Sequence, residues 1–147
     1  MFYDFILTVP AATTKAIPAE ETLKLTHGII HRVEIEFPAG CVGLVSCIIL
    51  HWEHQLYPLN TQGYFSADDH VIAFDDYFQL FYAPYTLKVR GWAPNTAYQH
   101  KIRIRIGLLP RSIAEYRFGK LTKVEAERIR AELEAALIIP EVLQSGG

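Results

Sequence analysis

The segment His51-Trp52-Glu53-His54 comes nearest to a metal site in this sequence. Two histidines three apart share a face of a helix, but on an extended strand they point to opposite faces. The flanking residues read as strand, and no third or fourth ligand stands at a zinc-motif spacing. Structural or surface histidines are therefore expected. His27 and His31 share strand parity but lie ~13 Å apart, too far to hold one ion unaided. His100 falls on an apolar strand face, where a core histidine bonded to a backbone carbonyl is expected.

Two acidic pairs, Asp68-Asp69 and Asp75-Asp76, bracket a short apolar run. Loop carboxylates can supply calcium, which takes roughly six to eight oxygens. A pair of carboxylates can also act as acid and base on a glycosidic bond. Nothing in the spacing fixes their separation, and turn-forming, solvated aspartates are the plainer expectation. Ser46 and Cys47 lie in an apolar strand without a nucleophile elbow. Gly91 and Gly107 sit singly in strands and mark bulges or close packing. Cys41 and Cys47, six residues apart, would stand ~20 Å apart on one strand. A disulfide needs Cα atoms within about 7 Å, so two buried free thiols are expected. No catalytic residue, cofactor or metal is assigned, and the chain is expected not to be an enzyme.

The remaining candidates are surfaces. Lys88 and Arg90 share one face of a late strand, and Lys101, Arg103 and Arg105 one face of the last. If these strands form a hairpin, five cations lie close together. Like charges opposite each other destabilise a sheet, so anions must lie near. Glu34 and Glu36 of an adjacent strand are the first choice, and acids of another subunit the second. Nucleic acid is disfavoured by a net charge of -2 and by aromatics that read as buried. Trp52, Trp92, Tyr57, Tyr64 and Tyr82 are the rings that could cover sugar faces.

The elements that carry these residues are strands. Residues 2–9 are β-branched and aromatic, and Pro10 ends them. Residues 10–20 read as a connecting arm. From Thr22 to Phe37 the sequence alternates, with Val33, Ile35 and Phe37 on one parity and Glu34 and Glu36 on the other. Residues 43–52 are apolar on both parities, so a second cover is expected: a C-terminal helix, the arm or another subunit. Shorter strands are expected over 63–66, 70–75, 77–82 and 85–92. The clearest is the last, where Ile102, Ile104, Ile106 and Leu108 alternate with Lys101, Arg103 and Arg105. The expected fold is all-β: an antiparallel β-sandwich or jelly roll of about eight strands over residues 1–110.

Residues 111–147 are expected to form an extension: a link, then a helix over 123–138. Thr122 to Glu125 matches a capping box. Ile129, Leu133 and Leu137 recur at helical spacing and make a narrow apolar stripe that must pack on something.

The 147 residues suit one domain, and half are hydrophobic. Charged residues make up 20%, below the roughly 25% of ordinary soluble domains, which favours hidden surface and assembly. The N-terminus lacks the basic n-region of a signal peptide. No apolar run reaches the ~20 residues of a membrane span. A chain made in the cytoplasm is expected, with no membrane partner.

The strings GIIHRVEIEFPAGCVGLV, HQLYPLN, GYFSADDHVIAF, PYTLKVRGW and IRIRIGLLP resemble those of small uncharacterised β-sandwich proteins found among phage and viral structural genes. The resemblance covers roughly residues 3–110. It implies a virion or particle component, a jelly roll that builds or decorates a shell, and carries no site residue with it.

The expectation is a structural or assembly protein of capsid, decoration or connector type. It would contact copies of itself as a homo-oligomer and a shell or particle protein. Its interaction surface would draw on Lys88, Arg90, Lys101, Arg103, Arg105, Trp52, Trp92, Ile129, Leu133 and Leu137. The alternative is a non-catalytic carbohydrate- or ligand-binding sandwich.

Overall fold

The structure is a computed structural model and describes residues 1–114. Nine strands follow one another: β1 (Phe2–Val9), β2 (Ala19–Lys24), β3 (Gly28–Phe37), β4 (Ser46–His51), β5 (His54–Tyr57), β6 (Phe65–Ser66), β7 (His70–Leu80), β8 (Thr86–Trp92) and β9 (His100–Leu109). They form two antiparallel sheets. One runs β1-β9-β3-β7, and the other β2-β8-β4-β5 with the two-residue β6 also on β4.

The order of pairing defines the topology. With β6 set aside, the first strand pairs the last, β1 with β9. The second pairs the seventh, β2 with β8. The third pairs the sixth, β3 with β7, and the fourth the fifth, β4 with β5. This is one long hairpin rolled up so that β9 also meets β3 and β8 also meets β4. Two sheets wound in this way are a jelly roll.

Alternation makes the core. Leu7 and Val9, Val33, Ile35 and Phe37, and Ile102, Ile104 and Ile106 turn inward from the first sheet. Leu23, Cys47, Ile49, Leu87 and Val89 meet them from the second. Gly91 lies where the sheets approach: a Cβ there would stand 2.7 Å from Leu7 and 3.0 Å from Val9. Opposite Gly107 the β3 register shifts between Ile30 and Arg32, a bulge. The close-packing and bulge roles expected of these glycines are both present.

Several sequence boundaries move. The alternating run 22–37 is two strands in different sheets, β2 and β3. Conversely, residues 70–80 form one strand, not two, and β5 lies in a stretch that reads as turns. The apolar run 43–52 starts late, at Ser46. Val42 and Gly43 turn the chain with φ of 50° and 70°. The Asp68 carboxylate fixes this turn by accepting the N–H groups of Gly40 at 3.0 Å and Val42 at 2.9 Å.

The chain divides into two compact units, Met1–Leu109 and Pro110–Gly147. In the second, residues 111–114 are helical, with the Ala114 N–H donating to the Pro110 carbonyl at 2.9 Å. The helix expected over 123–138, with Ile129, Leu133 and Leu137, lies outside the described residues. No helix among the described residues is long and apolar enough to cross a membrane.

Candidate interaction surfaces

The five cations do not form one patch. β8 and β9 are not a hairpin but belong to different sheets. Lys88 and Arg90 therefore stand on the outer face of one sheet and Lys101, Arg103 and Arg105 on the outer face of the other. The connection that begins Ala93-Pro94-Asn95-Thr96 crosses between the sheets.

On the first sheet the charges form a ladder across all four strands. Asp4 of β1 accepts from Arg103 of β9 at 3.0 Å. Arg105 reaches Glu34 at 3.4 Å and Glu36 at 3.1 Å on β3. Arg32 continues to Glu34 at 3.4 Å and to Asp75 of β7 at 3.0 Å. The anions expected from the adjacent strand are those that Arg105 meets. Lys101 has no ion pair among the described residues. Exposed pairs of this kind contribute little each, roughly 0–1 kcal/mol.

On the second sheet, Glu53 accepts from Lys88 Nζ and Arg90 Nη2, each at 2.7 Å. Arg90 also reaches Glu20 at 2.6 Å. The hydrogen bonds from Lys88, then from Arg90, hold the Glu53 carboxyl below its ordinary value. Sequence reasoning missed Glu20 and Glu53 as partners, because the first falls in the run 10–20 that reads as an arm but belongs to β2, and the second in a turn. Asp4 carried a usable signal, since it shares outward parity with Ile6 on a recognisable strand.

Beneath this network lies the second face of β4. Ile48 stands opposite Arg90 and Leu50 opposite Lys88. Leu50 is buried and Ile48 half-buried. Long basic side chains cover apolar surface with their stems while their heads stay wet. The arm completes the cover: Lys15, Ala16 and Pro18 line a shallow groove with Ile48, Arg90 and Trp92. The Lys15 ammonium sits 5.1 Å from the Trp92 ring centroid. The Ala93 N–H donates to the Thr13 carbonyl at 2.9 Å. The arm thus lies on its own sheet. Leu44 and Trp52, near the two ends of the apolar run 43–52, are outside the strand and exposed.

The rings do not form one platform. Trp92 is buried, with Tyr64 edge-on at 6.0 Å. Tyr57 is buried against Phe74, and its hydroxyl donates to Asp76. Burial first, then that hydrogen bond, pushes the Tyr57 phenol far up. Phe65, Phe74, Leu56 and Pro58 extend this cluster into a pocket of about 340 Å³ at the β5–β7 side. Tyr82 is exposed alone on a loop. Trp52 is 54% exposed at the tip of the β4–β5 hairpin, stacked on His51 at 5.4 Å.

Three of the four paired aspartates are engaged structurally. Asp68 caps a turn, Asp75 pairs with Arg32, and Asp76 accepts from Tyr57. His51 and His54 do not diverge, as strand parity alone would have them, but flank a two-residue turn and pair directly. Burial, then His54, lowers the His51 imidazole. His100 is buried with Nε2 at 3.2 Å from the Gly40 carbonyl. Cys41 and Cys47 are buried free thiols, and burial pushes Cys47 up to about 12. No three His, Cys, Asp or Glu side chains among the described residues are placed to hold a metal ion.

The sequence matches no protein-family model and no curated protein. Three of the solved structures that align with this chain do so at low scores. The Yersinia pseudotuberculosis-derived mitogen aligns at a TM-score of 0.35 and 11% identity, over 74% of this chain and 86% of that one. A chain from Bacillus endospore appendages, described as disulfide-linked pili, gives 0.34 and 14%, over 74% and 88%. PirA gives 0.33 and 14%, over 71% and 94%.

Proposed function

We propose that this chain is a structural, assembly-type protein, a virion or particle component that works by contact with copies of itself and with a shell protein, and not by catalysis. The observation that carries this reading is the free edge of β1. This strand pairs only with β9, and no described strand covers its other side. It is eight residues long and exposes Phe2 and Ile6. Its one charge, Asp4, is already engaged by Arg103. Proteins usually blunt an edge with lysine, proline or a bulge, because an open apolar edge pairs with other chains. β1 has no lysine, proline or register shift. At the opposite end of the sheet, β7 exposes Val71 and Tyr77 along eleven residues.

Light scattering of the full chain at micromolar concentration tests the proposal. A homo-oligomer is expected, and Ile6→Lys is expected to lower its mass while leaving the far-UV spectrum unchanged. A sharp monomer mass for the unmodified chain overturns the reading.

A further inference from the structure

The β4–β5 hairpin turns on Trp52 and Glu53, both with left-handed backbones, φ 50° and 66°. Two-residue hairpin turns with both φ positive ordinarily use Asn-Gly or Asp-Gly, since other residues are strained there. A tryptophan and a glutamate in these places are poor choices for folding. Strain of this kind collects where a side chain has work to do. Here the turn holds the indole out into solvent and brings the Glu53 carboxylate back onto Lys88 and Arg90.

Beside the indole is a groove of about 350 Å³, lined by Thr22 of β2, Trp52 and Glu53 of the turn, Pro84 of the β7–β8 loop, and Thr86 and Lys88 of β8. The volume lies at the small end of the roughly 300–1,000 Å³ of ligand sites. Its polar groups are mixed. Lys88 has three donors and spends one on Glu53, the carboxylate keeps free lone pairs, and the threonine hydroxyls both give and accept. Its two charges balance: Lys88 faces Glu53. An anion would have to compete with Glu53 for Lys88, and a cation with Lys88 for Glu53. A neutral ligand rich in hydroxyls needs neither exchange, and its C–H face suits an exposed indole.

We propose that this groove binds a neutral saccharide, with Trp52 covering one face of a pyranose ring while Lys88, Glu53 and the two threonines bond its hydroxyls. This goes beyond the assembly reading and does not depend on it. The site is a single recognition point, not the multi-ring platform that the sequence alone would require.

The chain has only two tryptophans, and Trp92 is buried. Acrylamide quenching therefore reports mainly on Trp52. The probes are methyl pyranosides of glucose, galactose, mannose and N-acetylglucosamine and their disaccharides, at up to tens of millimolar, with the full chain. At least one is expected to shield Trp52 saturably, and to do so in Trp92→Phe as well. Isothermal titration of that sugar is expected to weaken about tenfold in Trp52→Ala and less in Trp52→Phe, which keeps a ring. Thr86→Val, on a strand face and close in shape, is expected to weaken it with unchanged oligomer mass. The proposal is overturned if no sugar shields Trp52, or if Trp52→Ala binds as tightly as the unmodified chain. It is also overturned if Trp52→Ala lowers the oligomer mass while no sugar binds, which makes the indole a protein contact.

Discussion

His51 and His54 stand directly opposite each other across the β4–β5 turn. Burial and the neighbouring ring both disfavour a proton on His51, whose value lies below the ordinary 6.5. The unfolded chain therefore binds a proton that the folded chain resists. Stability from this source is complete above about pH 6.5 and falls as pH drops towards the lowered folded value. Thermal unfolding at fixed concentration is expected to show that decline. In His54→Gln the decline is expected to be shallower, because one of its two causes is gone. Equal pH slopes in the two proteins would show that His54 plays no part.

Ile104 occupies the middle of β9, opposite Phe5 of β1 and Ile35 of β3, and is fully buried. Ile104→Ala is expected to cost about 2–5 kcal/mol and Ile104→Val about 0.5–1.5 kcal/mol. Its neighbour Arg103 faces outward and pairs with an exposed carboxylate. Arg103→Ala is expected to stay within the roughly 0–1 kcal/mol of surface pairs. Urea midpoints with unchanged m-values check all three.

The contrast between those neighbours explains what could be read from the sequence. β9 was legible because Ile102, Ile104 and Ile106 alternate with Lys101, Arg103 and Arg105, a period of two that a half-buried strand uses. The run 43–52 misled because Leu44 looks like a strand residue continuous with those that follow. The turn that precedes the strand is held by Asp68, some 26 residues from Val42 in the chain, a cap that local composition does not reveal. The 22–37 run misled in the other way. Its alternation continues through the Leu25-Thr26-His27 corner, so parity alone cannot show that β2 and β3 part into different sheets. Of the candidate site, Trp52 was singled out from the sequence. Its groove was not, because Thr22, Pro84, Thr86 and Lys88 meet it only through the pairing of β2, β4 and β8.

The Tyr57 phenol is buried and donates a hydrogen bond to the Asp76 carboxylate. Both effects raise its value above the ordinary 10.0. Here the unfolded chain loses a proton that the folded chain keeps. The stabilisation is complete below about pH 10 and is lost as pH rises beyond it. Absorbance titration of the eight tyrosines is expected to leave one un-ionised until the chain unfolds. In Tyr57→Phe that late step is expected to vanish, at a cost of about 0.5–1.5 kcal/mol near neutral pH. A full-sized late step in Tyr57→Phe would assign it to another ring.

Trp52 offers a test in which a substitution improves the fold. In the left-handed region a side chain costs about 1–2 kcal/mol, which glycine avoids. Glycine elsewhere destabilises by about 0.5–1 kcal/mol through the entropy of the unfolded chain. At φ 50° the first effect exceeds the second, so Trp52→Gly is expected to be more stable than Trp52→Ala by about 1 kcal/mol. Alanine keeps the strained backbone and loses the stack on His51, so it is expected to gain nothing over tryptophan. Denaturation midpoints of the three proteins decide the matter. If alanine equals glycine, the turn is relaxed with any side chain. If glycine stands above both, the hairpin gives up stability to hold an indole in solvent, and a tryptophan kept at such a cost must be retained for something other than folding.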